Sequence, residues 1–251
     1  MIIYEYPFNE RTRTYLRLEE LFQRLGELVG RESALDHHFA LVTLFEILEV
    51  AARADLKSDV LKDLEKHKST LASYRDNPAI AQAALENVLS KIDACFVALN
   101  QQTGKAGLDL NDNEWLMSVR SRASIPGGTC EFDLPAYYAW QQGPPAQRRH
   151  DLSVWTQSIG PLAEAIFVLL KLQRDTGTPQ KVMATGGQFQ QNLPQGRSFQ
   201  LLRLAMDPGS GCVPEISGNR LMVSIRMMRA DAQGKLQPIS EDAAFELSLC
   251  A

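Results

Sequence analysis

The segment PLAEAIFVLLKLQRDTGTP, residues 161–179, decides the fold class because the spacing of apolar residues changes at its end. Up to Arg174 the apolar residues recur at intervals of three and four, which is typical of a buried helix. Thr176–Pro179 then interrupts the chain with turn-forming residues. Beyond Pro179, apolar and polar residues alternate, which is the spacing of β-strands. The sequence therefore predicts an α+β protein.

Helical spacing extends over most of the chain before this segment. Asn9 is a plausible N-cap of the first helix, and Pro78 is expected to open the fourth, because the first turn of a helix tolerates proline. The Gly- and Pro-rich stretch 123–151 is expected to be irregular. Long helices with short links predict a helical bundle domain at 9–176. Predicted helices begin near residues 9, 33, 56, 78, 111, 152 and 161.

The part of the chain after Pro179 predicts one antiparallel sheet. In the segment 220–227, Leu221, Val223, Ile225 and Met227 fall on one face of a strand. Glycine-rich turns separate this strand from its neighbours, which is typical of antiparallel hairpins. The extended residues at the N-terminus are expected to join the same sheet. The predicted antiparallel β domain therefore contains residues 1–8 and 177–251.

Composition bounds the class of protein. The 251 residues are 45% hydrophobic and carry a formal net charge of −4, which is ordinary for a globular chain with a core. No unbroken apolar run is longer than that of Ala165–Leu170, which is far shorter than the roughly 20 residues that span a bilayer. The N-terminal residues have no features of a secretion signal. These observations predict a cytoplasmic protein without membrane insertion, and the absence of a basic tract argues against nucleic acid.

Catalytic and metal-binding motifs are weak. The four cysteines and four histidines have no metal-ligand spacing, so we expect no metal and no cofactor. Cys130 is a candidate nucleophile, but no histidine or acid can be assigned to it, and a structural cysteine is the stronger interpretation. The sequence therefore predicts a protein that is not an enzyme. An alternative is a small-ligand binding protein with an apolar cavity in the β domain, suggested by four methionines: Met206, Met222, Met227 and Met228.

Arginines form two groups in the helical region. Arg13 and Arg17 are spaced i, i+4 on one helix face, and Arg120 and Arg122 end a short helix. An exposed arginine is by default a solubilising side chain with a weak surface ion pair. A cluster of guanidinium groups beside apolar surface also suits the carboxylates of an acidic peptide. The residues alone leave both interpretations open.

Three segments of the chain resemble the ZapD family of Z-ring-associated cell division proteins. The first is PFNERTRTYLR at 7–17, and the most specific is RSRASIPGGTCEFDLP at 120–135. The third is PEISG at 214–218, followed by Ile225–Arg226 and by FEL at 245–247. The resemblance brackets nearly the whole chain, although the stretch from about residue 30 to 110 matches only in helical character.

The resemblance implies a fold and a function. It implies a helical domain plus a β domain that contains the N-terminal strand, assembled as a homodimer. Such a dimer would bind the C-terminal tail of the tubulin-like division protein FtsZ and cross-link FtsZ filaments at the midcell division ring. Glu114, Tyr138 and Met222 stand where basic residues are expected in relatives. The predicted tail-binding residues are Arg13, Arg17, Arg120, Arg122, Arg220 and Arg226.

Overall fold

The structure, a computed structural model, describes all 251 residues and confirms the α+β class. The chain divides into two compact units. The β unit contains Met1–Thr14 and Leu170–Ala251, and the helical unit contains Tyr15–Leu169. The predicted boundaries at 9 and 176 differ by a few residues, because the first and last helices each begin in one unit and end in the other.

Eight α-helices precede the second strand, and polar caps fix where several begin. Asn9 caps the first helix, since its Oδ1 accepts a hydrogen bond from the Thr12 amide at 2.8 Å. Asn113 does the same for the fifth helix through the Leu116 amide at 2.9 Å. The helices are α1 Glu10–Gly30, α2 Ala34–Ala51, α3 Leu56–Ala72, α4 Gln82–Gln101, α5 Glu114–Ala123, α6 Pro135–Gln142, α7 Pro145–Thr156 and α8 Gly160–Asp175.

Two helical predictions were wrong. Helix α4 begins at Gln82 and not at Pro78, because Asn77 closes a turn around the proline. The Asn77 side chain accepts from the Ala79 amide at 3.0 Å, and its carbonyl accepts from the Ile80 amide at 3.1 Å. The stretch expected to be irregular contains α6 and most of α7, each of which starts with a proline in its first turn.

The helical unit has an apolar core with a few polar links. Tyr15 is fully buried, and its hydroxyl donates to Asp63 Oδ2 at 2.9 Å, which connects α1 to α3. All three tryptophans meet in one aromatic cluster with Tyr137. Trp115 of α5 stacks on Trp155 of α7 with ring centroids 5.1 Å apart. This cluster holds α5, α6 and α7 together.

Two antiparallel four-stranded sheets form the β unit, where one sheet was expected. One sheet has the order β1-β4-β8-β2, and the other has β3-β6-β5 with β7 paired to β6. Their facing sides enclose one core that includes Leu204, Phe245 and Ile225. The strands are β1 Ile2–Pro7, β2 Gln180–Ala184, β3 Gln188–Asn192, β4 Leu201–Met206, β5 Cys212–Gly218, β6 Met222–Ala230, β7 Leu236–Pro238 and β8 Ala243–Cys250.

The N-terminal strand belongs to the β unit, as predicted. Ile3 of β1 pairs with Ala205 of β4 in antiparallel register. Glu5 of β1 accepts two hydrogen bonds from Arg174, at 2.8 and 2.7 Å, and one from Arg203 at 2.9 Å. This carboxylate therefore connects β1 to the end of α8 and to β4.

The alternation predicted around residue 223 is confirmed within β6. Val223, Ile225 and Met227 are buried, whereas Leu221 is 66% exposed and lies before the strand. Leu221 was therefore wrongly placed on the core face. The reason is a turn, because Asn219 Oδ1 accepts from the Leu221 amide at 2.8 Å and so delays the start of pairing.

The helical run Pro145–Asp175 has the length and composition of a membrane span, with a mean hydropathy of 1.3 over its most apolar window. Of that window, 39% is buried, and a core helix passes the same test. One such helix is weak evidence, and the expected absence of membrane insertion stays a prediction.

Candidate functional site

Arg226 lies on the outer face of β6. Alternation along the strand sends Val223, Ile225 and Met227 into the core, so the arginine points away from it. Its direct neighbour on β5 is Glu215, whose carboxylate lies 3.5 Å from the guanidinium. Both side chains are more than half exposed, so this ion pair is weak. An acidic ligand can therefore compete for Arg226.

Arg220 lies in the turn between β5 and β6. It is exposed, and its guanidinium makes no hydrogen bond or ion pair within the chain. Met222, at the start of β6, lies on the same outer face as Arg226. The outer face of β6 therefore carries one weakly paired cationic group, Arg226, and the turn before this strand carries an unpaired one, Arg220.

Arg120 and Arg122 occupy the last turn of α5, where positive charge is favoured by the helix dipole. Burial of Leu116 and Val119 leaves Arg120 half-buried and Arg122 exposed. Arg120 has no hydrogen-bond or ion-pair partner in the chain. Arg122 NH1 is 3.7 Å from Asp133 Oδ1, close to the limit for an ion pair.

Arg13 and Arg17 lie one turn apart on α1. Arg13 pairs with Glu10 at 3.2 Å, and both side chains are substantially exposed. Arg17 is also exposed. Arg13 falls in the β unit with Arg220 and Arg226, whereas Arg17 falls in the helical unit with Arg120 and Arg122. That the six arginines form one binding surface stays a prediction.

Three residues stand where basic residues were expected: Glu114, Tyr138 and Met222. Glu114 is exposed in the first turn of α5, where a carboxylate is favoured by the helix dipole. Tyr138 of α6 is exposed, and Met222 is half-buried. None of the three contributes positive charge, so any cationic surface predicted here depends on the arginines.

One exposed aromatic residue, in the segment that follows Arg120 and Arg122, was not predicted from the sequence. Phe132 lies between α5 and α6 and is 79% exposed. Its motif was recognised, but a single phenylalanine in a Gly-rich segment carries no periodic signal that separates a buried position from an exposed one. The neighbouring carboxylate of Asp133 faces Arg122.

The competing sites have little structural support. Cys130 is a half-buried free thiol, and no histidine or carboxylate is hydrogen-bonded to it. Met206 and Met227 are buried in the core between the two sheets, where they fill space as ordinary apolar side chains. No group of three or more His, Cys, Asp or Glu residues is arranged to hold a metal ion.

A family model described as "ZapD: Cell division protein" matches residues 16–226. The chain belongs to the ZapD family. Its general role is therefore in cell division, and the resemblance seen in the sequence is confirmed. The ZapD match includes every predicted arginine except Arg13. It also spans α5, the segment that follows it and most of the second sheet.

Proposed function

We propose that this ZapD-family protein binds the C-terminal tail of FtsZ and, as a homodimer, cross-links FtsZ filaments to stabilise the Z-ring. The observation that carries the proposal is that each unit of this cell division protein has an unpartnered guanidinium group, Arg120 in the helical unit and Arg220 in the β unit. Each unit also has a weakly paired arginine, Arg122 in the helical unit and Arg226 in the β unit. Guanidinium groups in this state favour capture of carboxylates.

Bridging suits the chemistry of the partner. A disordered tail loses conformational freedom when it binds, so one tail is held weakly by one site. A dimer with two sites can engage two filaments, each of which carries many tails, and multivalency then supplies the avidity. The role requires no catalytic group and no cofactor. Its place is the cytoplasm, at the midcell division ring.

A pelleting experiment tests the proposal. The purified protein is sedimented with polymers of full-length FtsZ and with polymers of FtsZ that lacks the tail. We expect co-sedimentation with the full-length polymer alone. Arg226→Glu and Arg17→Glu are each expected to abolish co-sedimentation, because a carboxylate replaces a cation that faces the acidic tail.

A charge-matched variant controls for the change in net charge. Lys171 of α8 is exposed and pairs only with Asp175, four residues along the same helix, so Lys171→Glu should pellet normally. Sedimentation velocity should show the same dimer for all three variants. Equal pelleting of tailless polymer would refute the proposed function, and normal pelleting of both arginine variants would remove those residues from the site.

A further inference from the structure

The segment 124–134 between α5 and α6, here called the α5–α6 loop, is held in one shape by its own backbone. A series of tight turns follows the end of α5, and each turn is closed by an amide donating to a carbonyl three or four residues earlier. The pairs are Ile125 to Arg122 at 2.9 Å, Gly128 to Ile125 at 2.9 Å, Cys130 to Gly127 at 3.3 Å and Leu134 to Cys130 at 2.9 Å.

Two glycines make this shape attainable. Gly127 has a φ of +70°, in the left-handed region that favours glycine. A Cβ at Gly128 would lie 2.7 Å from the carbonyl oxygen of Arg122 and 2.9 Å from the Cβ of Ile125. The loop therefore folds back closely on the end of α5. Such a loop positions its side chains more firmly than an open connection would.

The α5–α6 loop presents apolar side chains to solvent. Phe132, at 79% exposure, is the most exposed large hydrophobic residue of the chain, and Ile125 is 47% exposed. An isolated exposed apolar residue is ordinary on a protein surface. Here the aromatic ring is carried by an ordered loop, and its chain neighbour Asp133 faces Arg122 at 3.7 Å.

The charges around Phe132 indicate the occupant. The carboxylate of Asp133 lies 3.7 Å from Arg122, and this contact is long enough to be exchanged for a ligand carboxylate. A purely apolar partner would contact the ring but would leave Arg122 with this long contact alone. A peptide that carries a carboxylate beside an apolar side chain satisfies the ring and Arg122 together, and arginines are prominent in the binding energies of such surfaces.

We propose that Phe132 is an apolar anchor for the FtsZ tail, which it contacts beside Arg122. This inference rests on the proposed function and adds an apolar contact to the charged contacts. An apolar side chain of the tail packs on the phenylalanine ring, and an acidic residue of the tail pairs with the Arg122 guanidinium in place of Asp133. The aromatic contact contributes affinity that salt does not screen.

Anisotropy of a fluorescently labelled FtsZ tail peptide tests the anchor in the full-length protein. Phe132→Ser should raise the Kd about tenfold, because one large apolar contact is lost. Phe132→Leu should stay within about threefold of the parent, since most of the apolar surface is retained. The matched control is Val97→Ser, which changes an exposed apolar residue of α4 and should leave the Kd unchanged.

The salt dependence separates the anchor from the charges. Between about 0.05 and 0.5 M salt, the ratio of Kd values for Phe132→Ser and the parent should stay constant, whereas the ratio for Arg122→Gln should shrink. If the parent and Phe132→Ser bind the peptide equally well, Phe132 is not an anchor, and the proposed function stands. A parent that does not bind the peptide would refute both.

Self-association is the competing occupant of this loop. If Phe132→Ser converts a dimer to a monomer in sedimentation velocity while its affinity for the peptide is unchanged, the ring contacts a second copy of the chain and the inference is wrong. Unchanged dimerisation together with a raised Kd supports the peptide. Because Phe132 is so exposed, the serine variant should unfold at the same temperature as the parent.

Discussion

Arg148 shows how much one residue can constrain a fold. It is 4% exposed, and its Nε donates to His37 Nδ1 at 2.9 Å. Its other nitrogens donate to the backbone carbonyls of Glu32, Gln141 and Gly143. A buried guanidinium is tolerated only when its donors are satisfied, and here one side chain joins the α1–α2 turn to the α6–α7 turn.

This arrangement predicts that stability decreases in mild acid. His37 must be neutral, because Nδ1 accepts from a guanidinium while Nε2 faces the Arg31 carbonyl at 2.9 Å. Burial, and then the positive charges of Arg148 and Arg149, lower the pKa of His37 below its ordinary 6.5, although the Arg31 carbonyl and Asp36 oppose the shift. The unfolded chain therefore takes up the proton first as the pH falls.

The free energy of unfolding is measured at two pH values. At about pH 7.5 neutral His37 stabilises the folded state fully, and at about pH 5.5 this stabilisation is smaller. The parent should be less stable at the lower pH, in part because of this group. His37→Gln should be less stable at the higher pH but lose less on acidification, since the other histidines are unchanged. Equal slopes for His37→Gln and the parent would contradict the prediction.

At the scale of elements, local signals explain which predictions succeeded. Helix α1 was predicted to begin near residue 9 and is observed from Glu10 to Gly30, because the cap that starts it, Asn9, is a local feature of its own sequence. Helix α6 was missed, because it is short and Tyr137 and Trp140 gain their contacts from the aromatic cluster with α5 and α7. Its stability is tertiary, and the proline in its first turn is too weak a local signal to predict it.

The same distinction applies to the candidate site. Sequence spacing located the arginines, but whether each guanidinium is free to bind a ligand depends on residues in other parts of the chain. Glu215 faces Arg226 only because β5 and β6 pair in one register, and Asp133 reaches Arg122 only because the α5–α6 loop folds back. The division of the strands into two sheets is equally non-local, since alternation specifies a strand's faces but not its neighbours.

Substitution by alanine should have opposite effects on stability at Gly128 of the α5–α6 loop and at Gly26 of α1. Gly128→Ala should reduce the free energy of unfolding by about 1–3 kcal/mol, because its Cβ would meet backbone and Ile125 closer than 3 Å. Gly26→Ala should raise it by about 0.5–1 kcal/mol, since α1 has open space there and alanine favours a helix. Urea denaturation of both variants measures the difference. Equal effects would show that the loop relaxes without strain.

At the scale of the whole molecule, bridging makes a prediction that no single site makes. We assume one weak tail-binding site in each protomer. The homodimer should then bind polymer at least about 100-fold more tightly than it binds a free tail peptide. The reason is that, once the first site is occupied, the second tail is present at high effective concentration. The comparison is between the Kd from peptide anisotropy and the midpoint of co-sedimentation with polymer.

Cross-linking should depend on two intact sites more steeply than binding does. A dimer that pairs a parent subunit with an Arg226→Glu subunit retains one site, so it should bind peptide at half stoichiometry with the parent's Kd. It should nevertheless fail to bundle filaments, because a cross-link requires one binding site for each of the two filaments. Light scattering of FtsZ polymers measures bundling, with the parent dimer and tailless FtsZ as the two controls. If the one-site dimer bundles filaments at the parent's level, the Arg226→Glu subunit must contact the polymer through a different surface, and the prediction is wrong.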